Sequence, residues 1–295
     1  MPANPVLTDE RFHLDDPNRA GWGAPGTAGA PTMPPPGAPT AAPPAAAPVE
    51  RVKPMTLAGT LTATGVLFAL ILASGAFGWS QVDQIPQWVG PGGQTSATEV
   101  PGWTLQNATS FPWWIGIAAL VGVGFAFLSI FKPKLAKFGA PLYALCYGVA
   151  LGAISAVYNY SFDGIVVQAV LATMGVFLVM LFLYATRIVK VTPRFVLLVV
   201  AATGGILVMF LVGWIASLFG ADIMYWNEPS PLGIGISVVI VIVAALNLAL
   251  DFDFIERAVK AQAPAYMEWT GALGVTVTIV WIYLSILRLL ALIRQ

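Results

Sequence analysis

The sequence predicts an all-α fold: a polytopic seven-helix transmembrane bundle preceded by a disordered Pro/Ala-rich tail. Three observations carry this. Seven apolar runs follow an opening of about fifty-five polar and Pro/Ala-rich residues, and each run is near the roughly 20 residues that a helix needs to cross a bilayer. Hydrophobic residues make up 58% of the chain and charged residues 9%, against about 25% charge in ordinary soluble domains. Finally, the basic residues fall in alternate connections between the runs. Such runs would be insoluble as surface helices and are too numerous for one soluble core.

The tail, residues 1–54, is rich in Pro, Ala and Gly, with few large apolar side chains after Trp22. It cannot bury enough surface to offset the entropy of ordering, so disorder and partial polyproline character are expected. It has no basic stretch followed by an apolar one, so it is not expected to be a signal peptide. It is expected to be a flexible leader or a docking segment carried by Asn4-Pro5-Val6-Leu7 and Arg11-Phe12.

Residues 55–295 form the membrane domain, with spans expected at 56–79, 113–131, 138–158, 165–185, 195–219, 232–250 and 269–293. Arg51 and Lys53 precede the first span. Lys132, Lys134 and Lys137 fill the second loop, Arg187, Lys190 and Arg194 the fourth, and Arg257 and Lys260 the sixth. The other loops hold Asp83, Glu99, Asp163, Asp222 and Glu228 but no Lys or Arg. The positive-inside rule then puts the N-terminus and the basic loops in the cytoplasm and, with seven spans, the C-terminus outside the plasma (inner) membrane. Arg288 and Arg294 fall near the outer interface, where long basic side chains snorkel. The first outer loop, Ser80–Pro112, is rich in Gly, Pro and Trp. It is expected to lie on the outer membrane surface or to form a lid over a vestibule there.

The polar inventory within the spans is thin. No acid or base lies near the middle of the first six, which argues against a pump or a transporter with a midplane acidic site. Cys146 is the single cysteine and His13, in the tail, the single histidine. Neither a disulfide within the chain nor a Cys/His metal site can be built from them. Gly148 and Gly152 form a GxxxG spacing, continued by Ser155 and Ala156, that suits close helix packing. Gln168, Asn247, Thr276 and Thr278 are expected to hydrogen-bond between helices.

The strongest local signal closes the sixth span: Asn247-Leu-Ala-Leu-Asp251-Phe-Asp253-Phe-Ile-Glu256-Arg257-Ala-Val-Lys260. If the helix continues past Leu250, Asp253, Glu256, Arg257 and Lys260 share one solvated face. They pair acid before base at i,i+4, the favourable order. Phe252, Phe254, Ile255, Ala258 and Val259 form the opposite face, and Asp251 falls within it. A carboxylate facing packed helices costs free energy unless it is paired, protonated or bound to a cation. Asp251 is therefore a candidate proton or cation sensor, facing the bundle interior while Asp253 faces water. Its other reading is a helix-break cap in contact with cytoplasmic water.

These features resemble the Bax-inhibitor family, in its bacterial YccA-like branch of actinobacterial type. The matching stretches are Leu151-Gly-Ala-Ile-Ser155, Pro193, Pro231-Leu-Gly-Ile-Gly235, Leu246-Asn-Leu-Ala-Leu-Asp-Phe-Asp-Phe-Ile-Glu256 and Tyr283-Leu-Ser-Ile-Leu-Arg-Leu-Leu290. The resemblance implies a bundle with the last helix at its centre. It also implies a pH-sensitive calcium leak governed by two aspartates at the cytoplasmic ends of helices six and seven. Asp251 matches the first, with Asp253 as the alternative register. The second falls on Thr278, and acids common in similar sequences are replaced by Tyr147 and Ser285. The gating candidates are thus Asp251, Asp253 and Thr278, and the cation-binding candidates Asp251 and Asn247.

Two functions follow as expectations. The first is a passive cation leak with weak calcium binding and no cofactor. The second is a non-conducting adaptor for another membrane protein, such as a quality-control protease. No nucleophile and base are arranged for an enzyme, and the partners expected are the bilayer and a membrane protein rather than nucleic acid.

Overall fold

A computed structural model describes residues 53–90, 94–102, 104–110, 112–219 and 229–295. It contains seven helices long and apolar enough to cross a membrane. They are α1 (Leu57–Trp79), α2 (Trp114–Phe131), α3 (Ala136–Ser161), α4 (Ile165–Ala185), α5 (Pro193–Leu218), α6 (Pro231–Lys260) and α7 (Met267–Arg294). The chain is a multi-pass membrane protein. The expected docking motifs of the tail, and Asp222 and Glu228, lie outside the described residues.

Local sequence sets the helix starts. Thr56, Thr192 and Ser230 each accept a hydrogen bond from the backbone N–H three residues on, and Pro193 and Pro231 stand at the first helical position. Side-chain oxygens satisfy otherwise orphaned N–H groups there, and Pro has no N–H to orphan. Gly164, at φ 71°, makes the tight turn between α3 and α4. α6 runs ten residues past Leu250, so its acidic end is helical.

The segment expected as an irregular surface loop or lid contains a three-stranded antiparallel sheet. Its strands are β1 (Asp83–Val89), β2 (Thr95–Ser96) and β3 (Thr104–Ser110), in the order β2-β1-β3. The segment is rich in Gly and Pro, and Pro86 falls inside β1. β2, however, pairs only with Trp88 and Val89, so Pro86 lies where β1 is an edge strand on that side, and a missing N–H is tolerated there.

α3 and α7 are the inner helices, with half of their apolar windows buried, against 6% for α5. α7 packs against α1, α3, α4 and α6, which makes it the centre of the bundle. Large apolar side chains such as Leu72, Leu120 and Leu197 point outward and are more than two-thirds exposed. Where lipid replaces water, packing rather than apolar burial must hold helices together. The α1–α3 seam supplies it through small residues: a Cβ on Gly148 would lie 2.1 Å from Ser74 Oγ, and one on Gly152 would lie 1.9 Å from the Gly75 carbonyl. Ser74 Oγ also donates across the seam to the Ala144 carbonyl, at 3.2 Å.

Two expectations need correction. Lys53 and Pro54, assigned to the disordered tail, pair with the α6–α7 connection: Ala265 N donates to Lys53 O at 2.8 Å, and Pro54 bridges Pro264. Arg294 and Arg288 are not simply snorkelling. Arg294 donates to the Asp163 carbonyl (3.0 Å) and to Gln168 Oε1 (2.7 Å), tying the end of α7 to the start of α4. Arg288 lies over the Phe210 ring at 5.8 Å and lines a cavity of about 210 Å³ with Ser237 and Ser285.

Candidate functional site

The site lies where α6 and α7 meet near their shared connection. α7 presents Gly271, Gly274 and Thr278, spaced i, i+3, i+7, and so on one stripe. Gly274 allows a close approach, since a Cβ there would lie 3.0 Å from Asp251 Oδ1. Thr278, itself buried, faces the Asp251 carboxyl across the α6–α7 contact. As a residue Asp251 is half-buried. Its Oδ2 is fully buried and has no hydrogen-bond partner. An isolated charge on such an oxygen is costly, and a proton, a cation or an ordered water removes the cost.

Asp251 and Thr278 are therefore together, on facing helices. Among the described residues no three His, Cys, Asp or Glu side chains converge. Calcium prefers six to eight oxygens. At Asp251 the remainder would come from Thr278, main-chain carbonyls and water.

Asn247 is one turn from Asp251, and its Nδ2 donates to Thr203 Oγ1 on α5 at 2.7 Å and to the Val243 carbonyl at 2.9 Å. It ties α5 to α6. Asp253 pairs with Arg257 and its side chain is 20% exposed, so it is less open to water than the expected solvated stripe. Glu256 pairs with Lys260 and also accepts a hydrogen bond from Tyr184 on α4. That face of α6 is thus in part a helix contact, extended by Phe252, which packs edge-on against Phe177 and near Tyr184. Of the expected apolar face, Ile255 is buried while Phe254 is 41% exposed. Thr276 bonds within its own helix, to the Ala272 carbonyl.

Tyr147 stacks on Tyr143 at 5.3 Å. Ser155 hydrogen-bonds Tyr283 at 2.7 Å, joining α3 to α7. Sequence reasoning missed Gly274, Tyr184, Met55 and Glu268. Gly274 had a signal, its spacing from Gly271 and Thr278. The others had none, because a lone tyrosine, methionine or glutamate at a helix end has no pattern of its own.

A family model described as Bax inhibitor 1 like matches residues 4–295. Neither a curated protein nor a solved structure matches the chain.

Proposed function

The chain belongs to the Bax inhibitor 1 like family, and on that premise we propose that it is a non-enzymatic, passive cation leak gated at Asp251. The observation that supports this most is the buried, unpartnered Oδ2 of Asp251 against Gly274 and Thr278 of the central helix. Protons and cations compete for that oxygen, so cation occupancy should rise with pH. One carboxylate makes calcium binding weak and selectivity modest. In this reading the protein sits in the plasma (inner) membrane of a bacterium, as in the YccA-like branch, with its basic loops in the cytoplasm.

Purified protein in calcium-loaded liposomes provides the test. The wild type is expected to leak calcium, with flux falling as pH falls. Asp251→Asn should lose most of that pH dependence, and Asp253→Asn should keep it, because Asp253 is already held by Arg257. Absence of flux from folded wild-type protein at every pH would overturn the leak. It would favour the second reading, a membrane adaptor, which is supported by Thr278 standing where the family resemblance implies an aspartate.

The orientation has its own test. Thr98 and Lys134 are both exposed, on opposite sides of the proposed membrane. In a Cys146→Ser background on intact cells, Thr98→Cys should react with an impermeant thiol reagent and Lys134→Cys should not. Equal labelling would sink the assignment.

A further inference from the structure

Four consecutive residues ahead of α1 are tied to the α6–α7 connection. Ala265 N donates to Lys53 O, Pro54 bridges Pro264, and Met55 N donates to Ala263 O at 2.6 Å. Thr56 then donates twice to Glu268 Oε1 in the first turn of α7, from its N and its Oγ1, both at 2.9 Å. The consequence is the position of Met55. Its side chain is driven inward and is 2% exposed. A Cβ on Gly271 would lie 3.5 Å from Met55 Cε and 3.0 Å from Ile255 Cγ1, so methionine, isoleucine and glycine form one packed layer.

That layer is adjacent to the Asp251 layer on both helices. Ile255 is one turn beyond Asp251 on α6, and Gly271 is three residues before Gly274 on α7. At 1.5 Å per residue the two layers are about 5 Å apart. The Met55 layer is the one nearer the connecting loop. A water or ion moving from that loop toward Asp251 between α6 and α7 meets an apolar plug first. Methionine suits the task, because an unbranched thioether fills an irregular gap without a fixed shape.

We infer that Lys53–Thr56 is a strap, clamped by Glu268, whose Met55 side chain closes the route from the α6–α7 loop to Asp251 and so determines access to it. The functional consequence rests on the gate reading of Asp251, but the access itself can be measured without flux.

The experiment uses the full chain with Cys146→Ser and Asp251→Cys as the probe. The rate of reaction with a small charged methanethiosulfonate is followed in detergent. Labelling should be slow with Met55 in place, at least about tenfold faster with Met55→Ala, and intermediate with Glu268→Gln, as expected when a local opening becomes easier. Met55→Leu, which refills the space, should restore slow labelling. Ile282 is 0% exposed in the core, and an Ile282→Cys probe should stay slow in every background. Equal rates at position 251 with and without Met55 would overturn the strap. So would a Met55→Ala protein in which Ile282→Cys labels as fast as Asp251→Cys, because that is general loosening. If Met55→Ala opens access to position 251 but leaves calcium flux unchanged in the Asp251 protein, the strap stands and the gate reading fails.

Discussion

Gly152→Ala is expected to destabilise the bundle heavily, and Gly152→Leu to prevent its assembly. A Cβ at this position would lie 1.9 Å from the Gly75 carbonyl oxygen and 2.7 Å from Gly75 Cα. Those atoms belong to the backbone of α1, which cannot swing away as a flexible side chain would. The two helices must separate, and the neighbouring contacts at Gly148, Ser74 and Gly78 separate with them. Overpacking of a well-packed interior costs about 1–3 kcal/mol, and a backbone clash along a whole seam belongs at or above the top of that range. At about 2–4 °C per kcal/mol for a protein of this size, Gly152→Ala should lower the melting temperature in detergent by roughly 10 °C. Gly175→Ala is the internal comparison: no atom lies within 4 Å of its added Cβ, and alanine is the better helix former. Its melting temperature should be unchanged or slightly raised. Equal stability of the two variants would show that α1 and α3 do not meet as closely as described.

Thr278→Asp is expected to produce the largest functional change. Thr278 already faces the Asp251 carboxyl, so an aspartate there places two carboxylates against each other on facing helices. Two like charges in such a place cannot both persist alone, so the pair holds a proton or a cation between them. Calcium affinity should therefore rise by about tenfold or more as carboxylate oxygens replace a hydroxyl, and the flux should depend more steeply on pH. Titration with calcium and the liposome assay measure the two effects separately. Unchanged affinity in a folded Thr278→Asp protein would count against a cation site between α6 and α7. Flux absent in the wild type and still absent in the variant would favour the adaptor.

The sequence made some layers of this protein legible and left others hidden, for identifiable reasons. Spans were visible because the bilayer imposes a length and a composition on any helix that crosses it, and these are properties of a contiguous segment. Helix starts at Thr192-Pro193 and Ser230-Pro231 are also set by local residues, although the expected spans began at 195 and 232. The sheet of the first loop was not visible. β1 carries a proline and pairs across intervening glycines, and only the pairing explains why that proline is harmless.

The candidate site divides the same way. Helical phase alone sets Asp251 apart from Asp253 and Glu256, because the 100° step per residue is fixed by backbone geometry. Phase cannot say which neighbour a face will meet. Asn247, expected to hydrogen-bond between helices and to help bind a cation, gives its amide nitrogen to Thr203 on α5, a partner that phase alone does not reveal. Tyr184 reaches Glu256 from α4, 72 residues away in sequence.

By itself, then, the sequence determined the seven spans and the family, which depend on residues close together in the chain, and set the phase of the acidic run after Asn247 on condition that it is helical. Only the tertiary structure decided that α1 fills the glycine seam of α3, that Gly274 and Thr278 face Asp251, and that Met55 packs beside them. Each of these is a contact between segments far apart in sequence. Within a bilayer such contacts are selected by shape and by the pairing of polar groups rather than by apolar burial, and neither leaves a periodic trace in one segment alone.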